Sequence, residues 1–462
     1  MVFSSGVFLF LFLPFVIIGY YNPIIRSRNY RNTFLYIASL LFYAYGEPLY
    51  VFLMFLSTAV TWLLGLLYGR NKRKRIIVIG TVYHIVMLFV FKYLSFIASQ
   101  IGIVFGSTSS VNIALPIGIS FMTFQMMSYL FDLYYGRVSV QRSFLKVGLY
   151  ISMFPQLIAG PIVRYGSIAR QIDNRTESIK NIEDGLVRFS IGLCKKVLIA
   201  DVLATFSDRI VDSCQNAGIG AATAWIGSIA FTLQIYYDFS GYSDMAIGLG
   251  KCFGFHFDEN FNYPYIADSI TDFWRRWHIS LTDWFRDYVY IPLGGNRKGR
   301  SIQVRNTVVV WVLTGIWHGA NWTFLLWGGV YCVIQLAERY LLPIEKLPMV
   351  IRRIYTLLIV NFCWVLFKAD SIGAAINYIR VMLGKNGLID INTKAYILDS
   401  VIMVVLGCIF ATPIVKVING RLNNKRRKVI EAFVYFVMAV AFAVAVMMII
   451  SGGYSPFIYF NF

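Results

Sequence analysis

The sequence predicts an all-α polytopic membrane protein, and three observations carry that reading. Hydrophobic residues make up 58% of the 462, aromatics 17% and charged residues only 14%, where an ordinary soluble domain has about a quarter of its residues charged. Apolar stretches of the roughly 17–25 residues needed to cross a hydrocarbon core of about 30 Å recur from end to end. The basic residues, which give a formal net charge of +19, sit in short loops between those stretches, a pattern that orients membrane helices and does not require nucleic acid as a partner. The expectation is a single integral-membrane domain over 1–462, crossing the cell membrane many times.

Spans are expected near 5–24, 33–46, 49–69, 76–98, 113–135, 147–163, 184–212, 219–250, 307–322, 323–341, 350–367, 397–418 and 429–450. The opening "MVFSSGVFLFLFLPFVIIGYY" has no basic leader and no small-residue cleavage site, so it reads as a retained first span and not as a signal peptide. "RSRNYR" (26–31), "GRNKRKR" (69–75), Lys346 with Arg352 and Arg353, and "RLNNKRRK" (421–428) are expected on the cytoplasmic face. Counting crossings from an outside N-terminus keeps the later loops inside only if 147–163 or a neighbour fails to cross fully. "MFPQLIAGPIVRY", with two prolines and Gly160, is the expected re-entrant or broken element, because irregular backbone at membrane depth survives only where protein or a cavity covers it. The six cysteines are scattered singly and read as core residues.

One long polar interruption, 251–305, breaks the second half, and its heart is "DSITDFWRRWHISLTDWFRDYVYIPLGGNRKGR" (268–300). Ser269, Thr271 or Asp272 offers an N-cap, and Pro292 with Gly294-Gly295 a stop, which predicts one helix. At about 100° per residue, Arg275, Arg276, Asp283, Arg286 and Asp287 fall within roughly 60° of Asp272, while Phe273, Trp274, Trp277, Trp284 and Phe285 lie opposite. Such a helix lies at the cytoplasmic interface, with aromatics toward lipid or the protein core. His278 falls at the edge of the aromatic face. Earlier, Asp238 and Asp244 stand inside an apolar segment, where each needs a partner or a wet cavity.

His318 is the sharpest single feature. It sits in "WVLTGIWHGANWTFLLWGG" (311–329), and no charged residue occurs from Asn306 to Ala337. One reading is a packing histidine bonded to a carbonyl or water. The other is a general base, because an imidazole kept neutral by burial can take a proton at neutral pH. Thr314, Gly315, Gly319 and Asn321 are small or polar and permit close approach of a substrate, and Trp311, Trp317, Trp322 and Trp327 either line a channel or form an interfacial belt. His278 alone reads as a packing residue or as a second functional ring, and two histidines without a Cys or Glu at ligand spacing do not make a zinc site. "IPLGGNRKGR" (291–300) is either a membrane anchor or a phosphate cradle of backbone N–H groups with Arg297, Lys298 and Arg300.

Five ordered motifs then converge. "LPIGISFMTFQMMSYLFDLYYG" (115–136), "FPQLIAGPIVRY" (154–165), "YYDFSGYSDMAIGLG" (236–250), "DFWRRWHISLTDWFRDYVYIPLGGNR" (272–297) and "GIWHGANWTFLLWGG" (315–329), with the ending "SPFIYFNF", resemble the membrane-bound O-acyltransferase family, most of all its bacterial branch of alginate O-acetyltransferase type. The core of the resemblance is 115–330; the first hundred residues match only in hydropathy.

The resemblance implies a ring of tilted helices around a central tunnel, with interfacial helices on the cytoplasmic side. It implies His318 as the family's essential histidine and His278 as its second. It further implies acyl transfer from a cytoplasmic donor, acetyl-coenzyme A or an acyl carrier, with no permanently bound cofactor and no metal. The acceptor is a hydroxyl of an extracytoplasmic polysaccharide, and a separate extracytoplasmic acetyltransferase is the expected protein partner. Arg297, Lys298 and Arg300 are the expected donor-binding cations. D-alanyl transfer to teichoic acid is the sister activity. A glycan or lipid transporter, with Asp238, Asp244 and Arg164 along its pathway, is the competing class, although no inverted repeat supports it.

Overall fold

The computed structural model describes residues 1–105, 113–216, 218–421, 424–452, 457 and 458. The end of the "FIYFNF" motif, 459–462, and Leu422 and Asn423 of the last basic run lie outside the described residues. Regular structure among the described residues is helical throughout. The chain forms two compact units, Met1–Phe189 with Tyr242–Glu259, and Ser190–Gly241 with Asn260–Ile458.

In the first unit the chain runs through α1 (Leu13–Tyr20), α2 (Arg28–Gly46), α3 (Tyr50–Asn71), α4 (Lys74–Lys92), α5 (Leu94–Phe105) and α6 (Ile119–Tyr134). It continues with α7 (Phe144–Ser152), α8 (Phe154–Leu157), α9 (Tyr165–Asp173) and the first part of α10 (Ile179–Cys194). α3 and α4 are long and apolar enough to span a membrane. They turn Phe52, Leu56, Ile79 and Val82 outward, the arrangement a lipid-facing surface requires. α6 is different: all of it except Phe131 and Tyr134 is buried, including the polar Ser120, Thr123, Gln125, Ser128 and Asp132.

The expected broken element appears where the prolines and Gly160 put it: α7 ends at Ser152, α8 lasts four residues, and 158–164 is not helical. Protein covers all of this irregular stretch up to Val163, which is the condition for bare backbone at membrane depth. Asp244 meets Arg188 at 2.9 Å, the partner its setting demands.

The second unit holds the rest: a π-helical stretch Lys195–Ala200, α11 (Asp201–Asn216), α12 (Ala221–Cys252) as far as Gly241, α13 (Ile270–Arg276), α14 (Ile279–Phe285), α15 (Arg300–His318), α16 (Trp322–Tyr340) and α17 (Met349–Lys368). α18 (Ile372–Met382), α19 (Thr393–Phe410), α20 (Ile414–Arg421) and α21 (Asn424–Ile450) complete it. α17, α19 and Ala432–Ile450 of α21 have spanning length and hydropathy. Asp238 is paired as well, 3.1 Å from the Lys196 ammonium, which also bonds Asp201; all three side chains are buried.

The polar interruption departs from expectation. In place of one helix from Ser269 to Pro292 there are two short ones, broken at Trp277-His278, followed by a π-helical turn Arg286–Tyr290. Ser269 is the N-cap, its hydroxyl accepting from the Asp272 N–H at 3.0 Å. The break comes from a distant segment. Asn262 N–H donates to the Arg276 carbonyl at 2.9 Å, and Ile279 N–H to the Asn260 carbonyl at 3.0 Å. His278 takes the left-handed conformation, φ 44° and ψ 54°, that this pairing requires, a region His enters more readily than most non-glycine residues. Across the break one helical wheel no longer applies, and the aromatics on both sides of it go to the core: Phe273, Trp274, Trp277, Trp284, Phe285 and Tyr288 are all buried.

Candidate active site

His318 is the last residue of α15, and the sequence after it explains the stop. Gly319 and Ala320 make the turn, and Asn321 caps α16, its side-chain oxygen accepting from the Thr323 N–H at 3.1 Å. α15 and α16 thus form a tight hairpin, and glycines set its closeness. A methyl group on Gly328 would sit 2.7 Å from the Trp311 carbonyl oxygen, and one on Gly315 would sit 2.8 Å from that of Phe324. Small residues that let backbones touch are how helices associate where lipid supplies no hydrophobic drive. Gly315 and Gly319 therefore make room for α16 and the Phe324 ring, where the sequence suggested room for a substrate.

The hairpin buries the His318 ring to 3% exposure among aromatic neighbours. Its centroid lies 4.8 Å from Trp327, 4.9 Å from Trp317 and 5.3 Å from Phe367 of α17. Of the four tryptophans around it in the sequence, Trp311, Trp317 and Trp327 are buried, and Trp322 is half exposed in the manner of a belt residue.

His278 is buried to 1%. Its ring stands edge-on to Phe239 of α12 at 4.7 Å, and 6.0 Å from Trp317. The Trp317 indole thus contacts both histidines, the one at the break between α13 and α14 and the one at the end of α15. Asn260 holds His278 from below: its Oδ1 lies 3.0 Å from His278 Nδ1, 2.9 Å from Ser280 Oγ and 3.3 Å from Ser280 N. Sequence reasoning missed Asn260, since nothing local in "DENFNYPY" marks a residue whose partner lies 18 positions on.

A cavity of about 1110 Å³ opens beside this core. Its apolar wall includes Trp274, Trp311 and Thr314, and Thr314 is one helical turn ahead of His318 on α15. Trp274 in turn packs 5.6 Å from Trp327, the ring that touches His318. The polar wall carries Arg275, Arg286, Arg339, Lys346 and Arg352 together with Asp283, Glu338 and Glu345. The hydrogen bond to Asp287, opposed by burial and joined by Asp283, holds the Arg286 guanidinium above its ordinary pKa. Arg352 is anchored to Asp268. The volume, and a lining of aromatic rings with five cations against three carboxylates, suit a mid-sized anionic ligand with an apolar tail.

The glycine-rich loop contributes less to this cavity than its sequence suggests. Asn296 reaches the wall, whereas Arg297, Lys298 and Arg300 stand exposed outside it, Arg300 over the Tyr340 ring at 4.2 Å. The N–H groups of Leu293, Gly294 and Gly295 donate to Val289, Ile291 and Tyr290, so they do not form a phosphate cradle. Asn306 and Arg305 pin the loop to α15 through the carbonyls of Gly295 and Leu293.

Comparison with known proteins shows the family of the chain. The model of the membrane-bound O-acyltransferase family matches residues 138–372, which hold both histidines and the whole lining of the cavity. A "Probable alginate O-acetylase" of Azotobacter vinelandii is 37% identical over the whole of both chains. One from Pseudomonas aeruginosa is 42% identical over 81% of this chain and 73% of its own. A peptidoglycan O-acetyltransferase of Helicobacter pylori is 35% identical over 84% and 81%. With an all-helical, multi-pass architecture and both motif histidines buried in one aromatic core, the chain is an O-acyltransferase and belongs to the membrane-bound O-acyltransferase family.

Proposed function

We propose that the protein carries an acetyl group from a cytoplasmic thioester, acetyl-coenzyme A or an acyl carrier, to a hydroxyl destined for an extracytoplasmic polysaccharide. The observation that carries the reading is the cavity whose apolar wall ends at Thr314, one turn from His318. Relatives named for alginate and for peptidoglycan both act on polysaccharides, which supports a polymer as the final acceptor here. The cavity is the donor's vestibule on the cytoplasmic side of the cell membrane, with Arg275 and Arg339 as candidate partners for a phosphate, a role the sequence had suggested for Arg297, Lys298 and Arg300. The acceptor polymer is handled by an extracytoplasmic acetyltransferase partner, because the connections between helices in the described residues are too short to hold a polymer-binding domain.

In the chemical step His318 takes the proton of the accepting hydroxyl as its oxygen attacks the thioester carbonyl. The tetrahedral intermediate then expels the thiolate, and the imidazolium returns the proton to it, leaving ester, thiol and neutral histidine. General-base help of this kind is worth on the order of 10²–10⁴ in rate, and positioning supplies the rest. The transport reading loses two of the residues that motivated it, since Asp238 and Asp244 are held by Lys196 and Arg188.

Purified protein in bilayers, given labelled acetyl-coenzyme A and a polysaccharide or a partner protein as acceptor, tests the proposal. We expect His318→Ala to lose at least about 10²-fold in transfer while keeping the parental unfolding temperature. Transfer by the variant at the parental rate removes His318 from the mechanism.

A further inference from the structure

We infer that Asn260 sets the tautomer of His278, placing the ring proton on Nδ1 and leaving Nε2 as a hydrogen-bond acceptor. The argument turns on which atom of the Asn260 amide faces the ring. Ser280 N is a backbone N–H and can only donate, and it lies 3.3 Å from Asn260 Oδ1. That contact fixes the amide with its oxygen toward the 278–280 segment. The Ser280 hydroxyl donates to the same oxygen at 2.9 Å. His278 Nδ1, 3.0 Å from it, therefore meets a pure acceptor and must carry a hydrogen. In a neutral imidazole the other nitrogen is then bare.

Two further features make this a built arrangement. Asn260 is fully buried and grips the segment with its backbone as well, its carbonyl accepting the Ile279 N–H at 3.0 Å. His278 itself is held in the left-handed conformation, so ring and backbone are fixed together. The partner is also an amide and not a carboxylate. It orients the ring without favouring an imidazolium, in the way a second group orients a metal-bound or catalytic histidine.

The consequence deepens the proposed acyl transfer, on which it rests. A His278 with a bare Nε2 receives a hydrogen bond from the accepting hydroxyl or the departing thiol. It does not donate one to the thioester oxygen, so stabilising the oxyanion falls to other groups. Asn260 is a positioning residue, acting through His278.

The chain has four histidines, few enough for nitrogen-15 solid-state NMR of the histidine-labelled full-length protein in bilayers, with His278 assigned by its loss in His278→Asn. We expect the parent to show His278 protonated at Nδ1 and bare at Nε2. Asn260→Asp, which keeps an acceptor for all three donors but adds a charge that favours the imidazolium, retains the proton on Nδ1. Asn260→Leu shows His278 protonated at Nε2 and loses about 10²-fold in transfer, with the other histidine signals unchanged. A parent protonated at Nε2 overturns the inference even if no variant folds, and so does Asn260→Leu at the parental rate. If the parent shows the expected tautomer but transfers acetyl from no thioester, the proposed activity fails and the tautomer assignment stands.

Discussion

The Glu338 carboxylate accepts the Ile270 N–H at 2.8 Å, and its second oxygen takes the Thr271 N–H at 3.2 Å. The last turn of α16 thereby closes the open N-terminus of α13, the short helix that leads into His278. An anion at such a terminus satisfies orphan donors and meets the positive end of the helix dipole. Glu338→Ala should lower stability by about 1–3 kcal/mol, and Glu338→Gln by less, because the amide keeps one acceptor. Thermal unfolding in lipid nanodiscs checks the order, and transfer should fall with it as α13 loosens.

Lys196 is the shared cation of Asp201 and Asp238, and Asp238 also accepts the Ile458 N–H at 2.8 Å. Removing one partner of a buried charge group strands the others, at a cost of about 3–5 kcal/mol. Lys196→Met should reach that range, and Asp238→Asn should cost less, since the amide oxygen still accepts from Ile458. Unfolding followed by circular dichroism ranks the two; equal and negligible losses would mean that this cluster does not hold the second unit together.

The sequence made much of this legible, and its failures share one cause. Long apolar runs announced the helices, two prolines and Gly160 announced the broken element, and Asp238 and Asp244 announced that partners must exist. All of these are signals of composition or of short period. The single helix expected over 269–291 failed because Asn260 and Asn262, far away in sequence, bond across 276–279 and impose a left-handed residue. The grouping of Arg275 with Arg339 is not legible for the same reason: the cavity they line brings α13 and α16 together, and no local pattern joins them. Arg297, Lys298 and Arg300 are legible as a cluster because they are near neighbours in the chain.

That contrast is itself testable. Arg275→Ala and Arg339→Ala should each raise the KM for a coenzyme A thioester by about tenfold, the size of one lost charge-assisted contact. The triple change of Arg297, Lys298 and Arg300 to Ala should leave KM near the parental value. The reverse ranking returns the donor site to the loop.

Gly315 and Gly328 face the opposite helix of the hairpin, whereas a methyl group on Gly329 meets nothing within 4 Å. Gly328→Ala and Gly315→Val should therefore wedge α15 from α16 and abolish transfer, with unfolding shifted to lower temperature. Gly329→Ala should be neutral or gain up to about 1 kcal/mol from better helix propensity. Transfer assays and melting curves on the three variants separate close packing from a general intolerance of change in the helix.

The aromatic core around His318 has a practical corollary. Trp274 and Trp311 border the cavity, Trp327 meets both of them and the imidazole edge-to-face, and Trp364 stacks on Trp327. Indoles this close exchange excitation, and the most quenched of them sets what the cluster emits. The protein thus has its own optical gauge of the site: a thioester entering the vestibule, or a proton settling on His318, should alter the emission without any added dye, and stopped-flow fluorescence can then time donor entry separately from the chemical step.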